Sequence, residues 1–193
     1  MGLTKSSICI LSILGVLLIL LLVYNSFFTQ SSVEQRILAQ KNYRLQLADG
    51  NFAIKFDFEP GWSKLKSGQT LNLMKKIFED DGIAIYIEEV VRPEKSDRLH
   101  IALKIESIYK LREGKFLIVD RINPDGSVST VPGKGNFSFD NGLPIDSLNA
   151  NFGKSIGSGN RISIFFDSDF LPPTAEPFQI EYSGLQLYQY TKV

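Results

Sequence analysis

The sequence predicts an all-β domain, two packed antiparallel sheets forming a β-sandwich, carried behind a single N-terminal transmembrane helix. Three observations predict it. An apolar run from Ile8 to Phe28 contains no Asp, Glu, Lys or Arg. From Tyr43 onward, apolar and polar residues alternate with a period of two, and clusters of turn-forming residues cut that alternation into short segments. The expected division is a short cytoplasmic tail at residues 1–7, a transmembrane anchor at 8–28, a connector or stalk at 29–42 and an extracytoplasmic β-sandwich domain at 43–193.

A helix rises 1.5 Å per residue, so about 21 apolar residues make a rod of roughly 31 Å, matching a hydrocarbon core of about 30 Å. Tyr24, Phe27 and Phe28 fall where aromatic side chains favour the lipid–water boundary. A cleaved signal peptide is the rival reading, with an apolar core of about 7–15 residues and an A-x-A-like exit. The best exit here, Thr29 and Ser31, is weak, and the segment is expected to stay. Lys5 flanks one side and Arg36, Lys41 and Arg44 the other, so basic residues alone do not set the direction. The short leading tail points to a signal anchor with a cytoplasmic N-terminus and the bulk of the chain outside the cell membrane. Met1-Gly2-Leu3-Thr4-Lys5-Ser6 satisfies the short myristoylation pattern and Cys9 is a possible palmitoyl acceptor, but a spanning helix makes either lipid redundant.

The chain has 193 residues, with 21 basic and 21 acidic side chains. Setting the anchor aside leaves about 160 residues, enough for one domain with a real core. Lys5 is the only charge before residue 31, so that domain carries one more acid than base, which argues against nucleic acid as a partner. Cys9 is the only cysteine and lies in the apolar run. The domain therefore has no disulfide and no thiolate metal site, a usage that suits a bacterial envelope, particularly a Gram-positive one.

Each element follows from local pattern. Val33, Arg36, Ile37 and Gln40 fall near helical spacing and predict a thinly apolar stalk helix. Phe52, Ile54, Phe56 and Phe58 share one strand face until Pro60-Gly61 breaks it ahead of Trp62. Leu71–Phe78 and Ile83–Val91 flank Glu79-Asp80-Asp81-Gly82, whose Asp-Gly pair marks a hairpin. Leu99, Ile101, Leu103 and Ile105 alternate with His100, Ala102 and Lys104. Phe116–Ile122 meets Ser127–Val131 through Asn123-Pro124-Asp125-Gly126, a type I turn closed by a left-handed glycine. Phe137–Phe139, Arg161–Phe166, Phe178–Tyr182 and Leu185–Tyr190 complete about nine or ten short strands, each with one apolar face to bury.

Two stretches carry a resemblance. Residues Phe78 to Val91, with the hairpin start Asp81-Gly82-Ile83, followed by Arg98 to Ser107 with its terminal Glu106-Ser107, resemble the uncharacterised Ig-like extracytoplasmic domains of Gram-positive membrane proteins. The later run, Gly157 to Phe166 and Pro177-Phe178-Gln179-Ile180, is similar to the closing strands of those domains. The likeness spans roughly residues 70–182 and is one of strand and turn style. It implies an Ig-like fold in the envelope compartment. Some members of that group belong to anti-sigma factors with a sigma-binding domain ahead of the membrane helix, which residues 1–7 are too few to supply.

The chemical candidates are weak beside their plainer readings. Gly153-Lys154-Ser155 has the end of a phosphate-binding loop, but Leu148 stands where the pattern needs glycine, and a flexible glycine loop is the better account. Asp120 to Gly126 superficially resembles a calcium loop, yet Arg121 takes the first ligand place and Pro132 the twelfth, so a hairpin turn is expected. Asp140, Asp146, Asp167 and Asp169 are candidates for a looser oxygen-rich site at one end of the sandwich. His100, the only histidine, falls on the polar face of its strand and is expected to face solvent. Glu79, Asp80, Asp81, Glu88 and Glu89 supply acids for carboxylate-pair catalysis, although acids at turns and edges are normally solvated. Asn136-Phe137-Ser138 meets the glycosylation sequon, which matters only in a eukaryotic secretory route. Trp62, Tyr182, Tyr188 and Tyr190 are candidates for a carbohydrate or peptide platform, or for core packing.

The resulting expectation is a single-pass, membrane-anchored, non-enzymatic binding or interaction module of the cell envelope. No catalytic residue, cofactor or metal ligand is assigned. Its expected partners are the membrane and an envelope protein or cell-wall component. The alternative is an envelope enzyme using acidic residues or a loop-bound metal.

Overall fold

The computed structural model describes residues 5–96, 98–139, 150–154, 160–167 and 177–193. Helix α1 (Lys5–Phe27) leads through a short turn into α2 (Gln30–Leu38), and strand follows strand from there. The strands are β1 (Tyr43–Phe58), β2 (Gln69–Asp80), β3 (Ile83–Arg92), β4 (Arg98–Ser107), β5 (Glu113–Ile118) and β6 (Asp120–Ile122). They continue with β7 (Val128–Thr130), β8 (Lys134–Phe139), β9 (Ala150–Lys154), β10 (Arg161–Asp167) and β11 (Phe178–Lys192). One sheet has the order β1-β11-β5, with β8 also pairing β11; a second has the order β2-β3-β4-β10-β9; β6 and β7 form a separate hairpin. All pairings are antiparallel.

The two sheets share one core. Ile54, Phe56, Leu117, Phe178 and Ile180 of the first meet Ile85, Ile87, Ile101, Leu103, Ile162 and Ile164 of the second. The alternation in β3 and β4 accounts for this directly, since every second residue points the same way. Trp62, in a single 3₁₀ turn after Pro60-Gly61, closes one end, its ring 5.2 Å from Phe58 and edge-on.

A second core lies on the far side of the first sheet, and two irregularities create it. In β1 the register with β11 shifts between Leu47 and Ile54, and in β11 Gly184 takes φ +106°. Displacing a strand by one residue turns its apolar set to the opposite face. Accordingly Ile54, Phe56, Phe58, Ile180 and Tyr182 face the inter-sheet core, whereas Tyr43, Leu45, Leu47, Tyr188 and Tyr190 face outward. Buried Gln186 joins the two disturbances, its amide donating to Gly50 O at 2.7 Å and to Gly184 O at 3.0 Å. Helix α2 covers the outward set with Val33 and Ile37, one turn apart, against Tyr109, Phe116, Ile122, Tyr188 and Tyr190.

Several sequence-based boundaries shift. Phe178–Tyr182 and Leu185–Tyr190 are one bulged strand, because β1 pairs along both halves. Phe116–Ile122 breaks at Val119, its first part joining β11 and its second pairing β7. Strand β9 was not predicted: it pairs the edge of β10 through residues including Gly153 and Lys154, which replaces the expected glycine loop at those two positions. The Asp81-Gly82 hairpin has φ of +41° and +81°, as a two-residue turn with both central residues left-handed requires. Gly126 closes the β6–β7 turn at φ +81°, with its amide donating to Asn123 O.

Candidate functional site

The site begins with how α2 is held. Thr29 caps it, accepting from Ser32 N at 3.3 Å. Gln30 then grips the backbone of Tyr109 twice: its Oε1 accepts from Tyr109 N at 2.7 Å and its Nε2 donates to Tyr109 O at 3.1 Å. One turn on, Glu34 accepts the Tyr109 hydroxyl at 3.2 Å. Burial, and secondly the Glu34 charge, push the Tyr109 phenol well above its ordinary range. Gln30 and Glu34 thus flank the Val33–Ile37 stripe and lock the helix laterally.

A groove runs beside the helix. Two clefts, of about 580 and 280 Å³, share Glu34 and Asn160 as lining residues. The larger has Lys104 and Arg161 on its wall; the smaller is lined by Leu38, Ile118, Ile122 and Val128. The larger cleft is therefore of mixed charge, with Glu34 and Glu106 beside the two cations, and the smaller is mainly aliphatic around Glu34 and Asp120. Arg161 also donates to Glu88, and Lys104 pairs with Glu106 at 2.7 Å.

The remaining candidate residues disperse. His100 points outward but is half-buried, stacked on Phe165 at 4.7 Å and 12°. Its Nε2 has no partner among the described residues, and desolvation depresses its pKa against an opposing pull from Glu89. That corrects the solvent-facing expectation: Phe165, opposite it on β10, takes the water's place. Glu79 pairs with Lys76, and Asp81 with Lys110 and Lys115. The Lys110 ammonium holds the Asp81 carboxyl below the usual carboxylate range. Asp125 accepts from Ser127 N and Oγ within its hairpin turn, as the turn reading requires. Asn136-Phe137-Ser138 is paired in β8 with Glu181, Ile180 and Gln179. Trp62, Tyr182, Tyr188 and Tyr190 are all buried, so these four rings are core and form no exposed platform. Asp167 ends β10 opposite Arg98, while Asp140, Asp146 and Asp169 lie outside the described residues, as do Leu148 and Ser155. Among the described residues no three His, Cys, Asp or Glu are placed to hold a metal ion together.

Among the described residues no single helix is long and apolar enough to cross a membrane, whereas Ile13–Asn25 with Gln30–Leu38, bent by 46°, is so as a pair by length and composition. Compared with protein-family models, curated proteins and solved structures, the chain matches none. The groove-forming contacts of Gln30, Glu34 and Tyr109 were missed by sequence reading. Their only trace was a second i, i+4 pair beside Val33 and Ile37.

Proposed function

We propose that this protein is a membrane-anchored, non-enzymatic binding module on the extracytoplasmic side of a bacterial envelope, its β domain a sandwich of the Ig-like kind. One observation carries the reading. Ile13 to Tyr24 stand exposed around α1, the smallest of the large side chains' exposures being 44% at Val23, while α2 is committed to the domain. The α2 half of the bent pair buries Val33 and Ile37 and carries Glu34 and Arg36, so lipid is the solvent for α1 alone. The rigid α2 collar then holds the groove beside the membrane, where an extended segment of an envelope protein or wall component docks.

Protease treatment of intact cells tests the topology. Loss of the β domain with survival of an anchor fragment is expected; a protected domain overturns it. A photo-cross-linker at Val128 in the same cells tests the groove. It should give a discrete adduct absent when the cross-linker sits at exposed Lys95, and equal labelling from both positions rejects the groove.

A further inference from the structure

We propose that the β4–β5 loop, Ile108-Tyr109-Lys110-Leu111-Arg112, is a second membrane contact that seats the domain on anionic phospholipid headgroups. The inference rests on the anchor reading above and extends it from α1 to the folded domain.

Position comes first. Gln30 follows the end of α1 by three residues and is doubly bonded to Tyr109. At 1.5 Å rise per helical residue, that places the loop within about one side chain's reach of the boundary where exposed Tyr24 and Phe28 stack at 6.1 Å. Two large apolar side chains stand out from it, Ile108 60% exposed and Leu111 44%. Between and after them come Lys110 and Arg112, both exposed. The surrounding surface is balanced, Arg44, Lys115 and Lys192 against Asp80, Asp81 and Glu113, so the local excess of cations is the loop's own Lys110, which pairs with Asp81 at 3.1 Å, and Arg112. Alternating apolar and basic side chains are the composition that binds an anionic interface.

The backbone supplies an independent argument. A surface loop ordinarily leaves its peptide groups to water, and a membrane interface withdraws that water. Here all five residues have a backbone group held by the protein. Ile108 N donates to Gly82 O at 2.8 Å. Gln30 serves both Tyr109 groups, and the Tyr190 hydroxyl serves both Lys110 groups. Leu111 O accepts from the Tyr43 hydroxyl at 2.9 Å, and Arg112 O from Lys192 N at 2.6 Å. A segment so satisfied keeps its shape while showing two aliphatic side chains outward.

The test uses the full chain with Cys9→Ala, carrying a single cysteine at Ile108→Cys or, at the far end of the domain, Lys95→Cys. Each is labelled with an environment-sensitive fluorophore and reconstituted into vesicles of phosphatidylcholine with phosphatidylglycerol. Flotation with the vesicles checks the anchor separately: protein that does not float defeats the anchor reading. In floating protein, a quencher on the lipid headgroup should quench the Ile108 label at least threefold more than the Lys95 label. Arg112→Glu should reduce that ratio. Equal quenching at both positions in floating protein overturns the inference and leaves the anchor standing.

Discussion

The Tyr190 hydroxyl holds both backbone groups of Lys110, accepting from its amide at 2.6 Å and donating to its carbonyl at 3.0 Å. Two residues earlier on the same face of β11, Tyr188 does the same to Ile122, at 2.7 and 3.1 Å. Both rings lie in the second core, Tyr188 stacked on Phe116 at 5.4 Å and Tyr190 edge-on to Tyr43 at 5.9 Å. The aromatic bodies bury apolar area while the hydroxyls stand in for a neighbouring strand.

Removing either hydroxyl strands two peptide groups. An unmet buried donor or acceptor costs about 1–3 kcal/mol. Tyr188→Phe and Tyr190→Phe should each lower the urea midpoint of the β domain. Tyr188→Phe should cost more, because both of its bonds are buried whereas those of Tyr190 are partly exposed. Unchanged midpoints would mean that water replaces the hydroxyls without loss.

The α2 collar is predicted to be part of the cooperative fold. Ile37 is fully buried, and truncating a buried isoleucine to alanine costs about 2–5 kcal/mol. Ile37→Ala should destabilise the β domain by that order and raise amide exchange at Phe116, Tyr188 and Tyr190. The exposed neighbour Gln35→Ala should do neither. A helix that behaves as a loose stalk would give no difference between them.

The strand pattern was readable because period-two alternation is a local signal: β2, β3, β4 and β10 lie where Leu71–Phe78, Ile83–Val91, Leu99–Ile105 and Arg161–Phe166 placed them. The second core was not. Tyr43, Leu45 and Leu47 read as ordinary alternation, and nothing local says that a bulge turns them away from Ile54 and Phe56. Residues Ala150–Lys154 carry too few apolar residues to announce an edge strand, whose place is set by pairing with β10. The groove arises only when Gln30 meets Tyr109, 79 residues apart in sequence.

Gly114 marks how tightly Tyr190 is seated. A Cβ there would stand 2.6 Å from the Tyr190 hydroxyl and 2.9 Å from the ring carbon that bears it. Gly114→Ala must displace the ring from Lys110, an overpacking expected to cost about 1–3 kcal/mol. In the double variant with Tyr190→Phe the hydroxyl clash and the lost bonds are one defect. The two losses, read from urea midpoints, should therefore fall short of their sum. Strict additivity would place the Gly114 effect elsewhere.

His100 predicts a pH dependence whose sign is fixed by burial. Desolvation, the larger influence, lowers its folded pKa below the ordinary value, and the Glu89 charge opposes this. The unfolded chain titrates near the model-peptide value of about 6.5. As pH falls through that value the unfolded state takes up a proton that the folded state declines, so stability present above it is lost progressively down to the folded pKa. The urea midpoint should therefore be flat from pH 8 to 7 and decline towards pH 5.5. His100→Gln should flatten the decline. Glu89→Gln should deepen it, because removing the nearby negative charge depresses the imidazole further. If His100→Gln declines as steeply as the parent, the slope belongs to other groups, and the stacking on Phe165 does not keep the ring neutral.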